Sequence, residues 1–246
     1  MNCKISNKYQ ILFFLFISLF FNYNLKSQII RGNNNVVTKE RDVSDFSGVS
    51  ISGIFDVFIS QGDKEELKIE TDDNIQQYII TEVRKGILNI QLTGNVKRLK
   101  TLNVYVTVKK LNSLIILGGN HVTISSVITT DNIEVYLGGE STLTFNVLAK
   151  EMECDITDAG IANFNGKVDV LNIRISDDAE LNAFDMNALT CKLKASGFSQ
   201  AKINVIDKLD MIVTGDCNVY YKGSPEINNR VFSGGGFIIK RNQDVE

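Results

Sequence analysis

The sequence predicts an all-β protein: a β-solenoid, or parallel β-helix-like stack, with coils of about 20 residues and a capping β segment at its N-terminal end. Three observations predict it. Apolar and polar residues alternate over many short runs, which is the period of a strand with one face buried. Each run ends in a turn of Gly, Asp, Asn or Ser, and the turns recur at a near-constant step. Finally, a single Pro, no Trp, 18 Gly and an excess of Ile, Val, Asn and Thr suit strands and tight turns, and suit long helices poorly.

Taken in order, residues 1–27 read as a secretory signal peptide. Lys4 and Lys8 supply a positive start, Ile11 to Phe21 an apolar core, and Ser27 a small residue at a cleavage position. That apolar core is too short for a bilayer, which takes roughly 20 residues, so no membrane span is expected after cleavage. Cys3 precedes the apolar core, where a lipoprotein cysteine would follow it. Residues 28–45 read as a flexible lead-in. Residues 46–240 read as one solenoid domain, with 46–100 as an N-terminal cap or less regular sheet and 101–240 as repeated coils. Within the cap, Phe46 to Gly62 gives two short strands broken at Gly53, Leu67–Ile69 and Ile87–Leu92 give more, and Gln76–Glu82 suggests a short helical turn.

From residue 101 the alternation is regular. Leu102, Val104, Val106 and Val108 share one phase, with Thr101, Asn103, Tyr105 and Thr107 on the other. The pattern returns in Ile133–Val135–Leu137, Met152–Cys154–Ile156, Ile173–Ile175, Cys191–Leu193–Ala195 and Met211–Val213. Gly118, Gly138, Asp158, Asp178, Gly197 and Asp216 anchor the intervening turns, and a second short strand follows most of them, as in Val122–Ile124 and Leu143–Phe145. One such unit cannot bury its apolar face alone; stacked units bury a continuous core. The competing arrangement, an antiparallel sandwich with turns every ten residues, fits less well because strand lengths and turn chemistry repeat per coil.

The segment FSGVSISGIFDVFISQG at 46–62, the Gly-Gly-Asn and Gly-Asp turns, and GDCNVYYKGSPEINNRVFSGGG at 215–236 together resemble the bacterial family "putative auto-transporter adhesin, head GIN domain". The resemblance spans roughly residues 40–240. It implies an all-β, β-helix-like fold in an exported protein of adhesin type. Transmembrane barrels show segments of about ten alternating residues with an outward apolar band, and the solenoid accounts for the chain beyond the leader, so no barrel is expected.

Chemistry is sparse. With 26 basic and 29 acidic residues interspersed, nothing forms the basic face that phosphate backbones require, and nucleic-acid binding is not expected. His121 is the only histidine and follows a turn, a poor setting for a hydrolytic triad. Cys154, Cys191 and Cys217 fall on or beside inward phases and lack the close pairs of a zinc site; no catalytic residue, metal or cofactor is assigned. An enzyme reading rests on Glu140, Asp158, Asp177 and Asp178, acidic residues at equivalent turns of adjacent coils, which could act as acid and base or hold calcium; turn preference alone also explains them. A binding reading rests on Tyr105, Tyr136 and Tyr220, aromatics on outward phases that could stack on a sugar or contact a protein. The sequence therefore reads as a non-enzymatic exported protein of the periplasm, outer membrane or secreted fraction, of adhesion or binding type. Its partner would be a glycan, another surface protein or a second copy of itself. The alternative is a carbohydrate-active protein using the acidic turns.

Overall fold

The computed structural model describes residues 29–241, so the signal peptide read over residues 1–27 lies outside the described residues. Eighteen strands follow in order. The first ten are β1 Ile29–Arg31, β2 Val36–Arg41, β3 Gly48–Gly53, β4 Asp56–Gln61, β5 Glu66–Asp72, β6 Ile79–Arg84, β7 Ile87–Leu92, β8 Asn95–Lys97, β9 Leu102–Val108 and β10 Ser113–Gly118. Then come β11 His121–Leu137, β12 Thr142–Ile156, β13 Ile161–Ile175, β14 Glu180–Ala195, β15 Gln200–Thr214, β16 Asn218–Lys222, β17 Glu226–Ser233 and β18 Phe237–Lys240. The stacked parallel coils form a β-solenoid of about 7 turns with about 19 residues per turn.

The long strands β11 to β15 each traverse most of a coil. In β12, Leu143, Phe145 and Val147 point inward; the alternation slips at Ala149–Glu151 and resumes at Met152, Cys154 and Ile156. The short strand expected after each turn and the next run are thus one continuous ladder with a bend in it. The bend gives each coil two outward sheet faces. The first carries the start of the long strands, together with β9, β4, β16 and β18; the second carries their ends, together with β7, β3, β10 and β17. Between the faces runs one continuous core, in which Phe145 meets Phe164 edge-on at 6.1 Å. Burying each such side chain contributes about 1.5–3 kcal/mol before conformational entropy is set against it.

The stacking order departs from chain order. β3 lies between β7 and β10, and β4 between β9 and β11. The coil made by residues 48–61 is therefore clasped between a coil that follows it in sequence and the regular stack. The chain passes from β9 to β10 through Lys109–Asn112, where Leu111 is buried and the Asn112 N–H donates to Ser47 O at 2.7 Å. Antiparallel strands close the N-terminal end: β5 on β9 and β2 on β5 at one face, β6 on β7 at the other. Antiparallel pairing turns the ladder back on itself and leaves no parallel edge to recruit another coil.

Residues 28–45, expected as a flexible lead-in, instead carry β1, paired with β8, and β2, paired with β5. Buried Asp72 helps to order them: its carboxylate accepts the N–H groups of Asn34 and Lys100. The helical turn expected over Gln76–Glu82 is a single 3₁₀ turn, Gln76–Tyr78, and strand follows it. Buried Gln76 donates to Ile69 O at 2.9 Å and accepts from Arg41 at 3.0 Å, which ties the turn to the cap.

Candidate functional site

The acidic turns have a structural employment. One column of left-handed residues climbs the stack through Gly118, Gly139, Asp158, Asp177, Gly197 and Gly215, with φ of 108°, 72°, 59°, 61°, 76° and 86°. The residue after each donates its N–H to the carbonyl of the column residue one coil below, as in Glu140 to Gly118 at 2.8 Å and Asp178 to Asp158 at 2.9 Å. Aspartate tolerates this conformation better than most residues, and its carboxylate adds a cap. Asp158 Oδ2 accepts from Gly139 N at 2.8 Å, and Asp177 Oδ2 accepts from Ser176 Oγ at 2.9 Å. Glu140 and Asp178 sit beside the column and are exposed. The carboxylates of Asp158 and Asp177 thus serve the turn backbone, and no group of three His, Cys, Asp or Glu among the described residues is arranged to hold a metal.

The three tyrosines do not share one surface. Tyr105 and Tyr220 stand on the first face in a single register row, with Lys68 the next neighbour beyond Tyr105 and Ile239 the next beyond Tyr220. Between the two tyrosines the row runs Tyr105, Phe58, Thr123, Thr144, Asn163, Asn182, Lys202, Tyr220. At a strand spacing of about 4.8 Å its length is roughly 34 Å. Tyr105 stacks on Phe58 with ring centroids 5.3 Å apart and planes 17° from parallel. Its hydroxyl donates to Glu70 Oε2 at 3.0 Å, and Asn103 Nδ2 donates to the same oxygen at 2.9 Å. Partial burial raises the phenol above its ordinary pKa; the Asn103 hydrogen bond opposes that and the Glu70 carboxylate adds to it. At the other end Tyr220 meets Phe237 edge-on at 5.6 Å and lies under the Arg241 guanidinium at 4.7 Å. Between these aromatic pairs the row offers only hydroxyls, amides and one ammonium. Sequence reading finds the tyrosines but misses Phe58 and the Thr/Asn row, whose signal is the outward phase of the same alternation.

Tyr136 stands on the second face, level with Ile115 and Asp155. It borders a shallow depression of about 310 Å³ lined by Ser113, Glu134, Glu153, Asp155 and Arg174 among others. At the bend between the faces a wider open groove of about 710 Å³ is walled by Lys110, Asp131, Lys150, Lys167 and Asp169. Asp131 and Lys150 pair there at 2.7 Å, and that ion pair lowers the carboxyl pKa and raises the ammonium. Cations and carboxylates alternate along the groove, so it selects no sign of charge.

The remaining reactive groups are withdrawn or isolated. Cys154, Cys191 and Cys217 are buried free thiols. Burial first, with Asp210 after it, pushes Cys191 up to about 12, and burial raises Cys154 well above the thiol range. A thiol held neutral is a poor nucleophile. His121 is exposed on the first face, between Asp56 and Thr142 of adjoining strands. No helix among the described residues is long and apolar enough to cross a membrane.

Comparison with known proteins agrees with this architecture. The chain shares its fold with a "putative adhesin" from Bacteroides fragilis, at 20% identity and a TM-score of 0.80, over 87% of this chain and 100% of that one. A "putative lipid binding protein" from Parabacteroides distasonis aligns at 22% identity with a TM-score of 0.72, over 87% and 100%. A "putative adhesin" from Parabacteroides merdae aligns at 20% identity with a TM-score of 0.68, over 87% and 99%. The curated proteins contain no match. Residues 45–225 match the model of the family "Putative auto-transporter adhesin, head GIN domain", and the chain belongs to that family.

Proposed function

We propose that this protein is a non-enzymatic, exported adhesion-type module of the cell envelope or secreted fraction, which holds a polar partner against its first sheet face. The observation that carries the reading is the register row from Tyr105 to Tyr220, where an aromatic pair at each end brackets exposed Thr123 and Thr144 and a half-buried, hydrogen-bonded ladder of Asn163, Asn182 and Lys202. Membership of an adhesin-type family and the signal-peptide pattern of residues 1–27 support it. Aromatic rings supply contact area at low entropic cost, while short hydroxyl and amide side chains supply hydrogen bonds. A rigid stack keeps these groups in place before contact, so little ordering cost falls on binding. The partner class is a cell-surface glycan or an extended segment of a surface protein.

Tyr105→Ala combined with Tyr220→Ala tests this. Tyr105 is exposed and Tyr220 half-buried, both on the sheet surface outside the core, and unchanged circular dichroism verifies that the fold persists. Losing about 1–2 kcal/mol per anchor predicts roughly a hundredfold weaker attachment of protein-coated beads to cells or to a glycan array. Unchanged attachment by the double variant rejects the first face as the contact surface. A glycan array without any binder, alongside retained attachment to cells, assigns the contact to protein.

A further inference from the structure

The second face carries an ordered charge distribution that neither the repeat nor the core requires. Its outward positions form three register rows across β11 to β15. One runs Asn132, Glu151, Val170, Thr190, Lys208; the next Glu134, Glu153, Asn172, Lys192, Asp210; the third Tyr136, Asp155, Arg174, Lys194, Ile212. The β11 and β12 strands present four carboxylates here and no cation. The β14 and β15 strands present three lysines and one carboxylate, Asp210. Glu134 stands directly beside Glu153, a like-charge neighbour pair that weakens a sheet. Among the described residues Glu153, Lys192 and Lys194 have no ion-pair partner, whereas Asp155 is held by Arg174 at 3.1 Å.

We infer that this face pairs with the same face of a second copy, the two solenoids running antiparallel. A two-fold axis lying along β13 in the plane of contact sends β12 onto the partner's β14 and β11 onto its β15. Glu153 then meets Lys192, Asp155 meets Lys194, and both contacts occur twice. The exposed apolar groups fall into the same scheme: Tyr136, 38% exposed, faces Ile212, 37% exposed, and Val170, 37% exposed, faces its own copy across the axis. The depression beside Tyr136 lies where Lys194 and Ile212 of the partner arrive. Two like-charge encounters oppose these contacts: Glu134 opposite Asp210 at the rim, and Arg174 opposite its own copy on the axis, where each guanidinium is already paired with Asp155 of its own chain at 3.1 Å. Turning the axis parallel to the solenoid instead sets each strand on its own copy, with Glu153 on Glu153 and Lys192 on Lys192. Charge therefore selects the antiparallel pair, by attraction in one arrangement and repulsion in the other.

The size of the face sets the strength. Five strands of about six residues cover roughly 24 by 20 Å, which buries on the order of 1,000 Å² over both copies, the lower limit of a specific interface. A weak and salt-sensitive dimer follows.

Sedimentation velocity of the purified protein tests it, with two charge reversals, Lys192→Glu/Lys194→Glu and Glu153→Lys/Asp155→Lys. Glu153, Lys192 and Lys194 are exposed on the sheet surface and Asp155 is half-buried there, and unchanged circular dichroism verifies that the variants fold. The wild type should dimerise at low ionic strength and dissociate at about 1 M salt, where the screening length is about 3 Å. Each variant alone should lose the dimer, since like charges then meet at both contacts. An equimolar mixture of the two should recover it as one copy of each, because every contact becomes opposite in sign again. A wild type that stays monomeric at low salt overturns the inference. So does a reversed variant that dimerises like the wild type, or a mixture that fails to reassociate. Tyr105 and Tyr220 lie on the other face, so loss of the dimer and loss of attachment are separate outcomes.

Discussion

At the scale of single residues, the turn column decides where each coil may close. A Cβ added at Gly139 would stand 2.3 Å from the carbonyl oxygen of Gly118 one coil below, at a φ of 72°. Left-handed backbone alone costs a non-glycine residue about 1–3 kcal/mol, and the contact adds to it. Gly139→Ala should therefore lower stability by about 2 kcal/mol or more, read as a fall in the urea midpoint; an unchanged midpoint would remove the column's steric role. Asp158→Gly should be close to neutral, because relief of the left-handed strain offsets the lost bond to Gly139 N. Sequence reading places these turns one residue off in places: it anchors Gly138, Asp178 and Asp216, where the column takes Gly139, Asp177 and Gly215. Composition marks a turn, but the backbone of the neighbouring coil chooses which of two adjacent small or acidic residues turns left-handed. The same limit applies to Asp158 and Asp177, whose spacing is legible while their bonds to turn N–H and hydroxyl groups are not.

At the scale of elements, inward and outward are legible and sidedness is not. Period-two alternation assigns Val135 to the core and Tyr136 to the surface, yet it carries no mark of the bend that puts Tyr105 and Tyr136 on different faces. Nor does it reveal that β3 and β4 are inserted between later strands, since strand partners are chosen by packing across the stack rather than along the chain. That insertion leaves a gap where the coil of residues 48–61 ends early, and Gln61 fills it as a substitute peptide group. Its Oε1 accepts from Thr129 N at 2.8 Å, and its Nε2 donates to Lys109 O at 2.9 Å and Thr129 O at 3.2 Å. Gln61→Ala should cost about 1–2 kcal/mol, the usual penalty for deserted backbone groups in a partly exposed site, and should speed amide exchange at Thr129. Unaltered protection of that amide would mean that water replaces the side chain without loss.

At the scale of the whole molecule, a solenoid's stability is close to a sum over coils and their nearest neighbours, so length should be adjustable in whole coils only. Residues 139–157 make one coil from column residue to column residue; deleting them joins Gly138 to Asp158, whose φ of 59° suits the place that Gly139 held. β11 then meets β13 with every inward residue still inward: Val135 beside Ile173, Leu137 beside Ile175. The shortened protein should fold cooperatively with the strand signal of its parent. Deleting ten residues, 139–148, should instead bring second-face segments onto first-face neighbours and leave an aggregating chain. If the full-coil deletion aggregates as readily, the coils are not the units of this fold. The same deletion separates the two faces. It takes away Glu151, Glu153 and Asp155; Glu134 moves into the place of Glu153 beside Asn172, but Tyr136 takes the place of Asp155, so the contact to the partner's Lys194 is lost, while Tyr105 and Tyr220 stay in place at a separation shorter by about 5 Å. Self-association should weaken, since one of its two ion contacts is lost, and attachment should persist, because it depends on aromatic anchors that the deletion leaves in place.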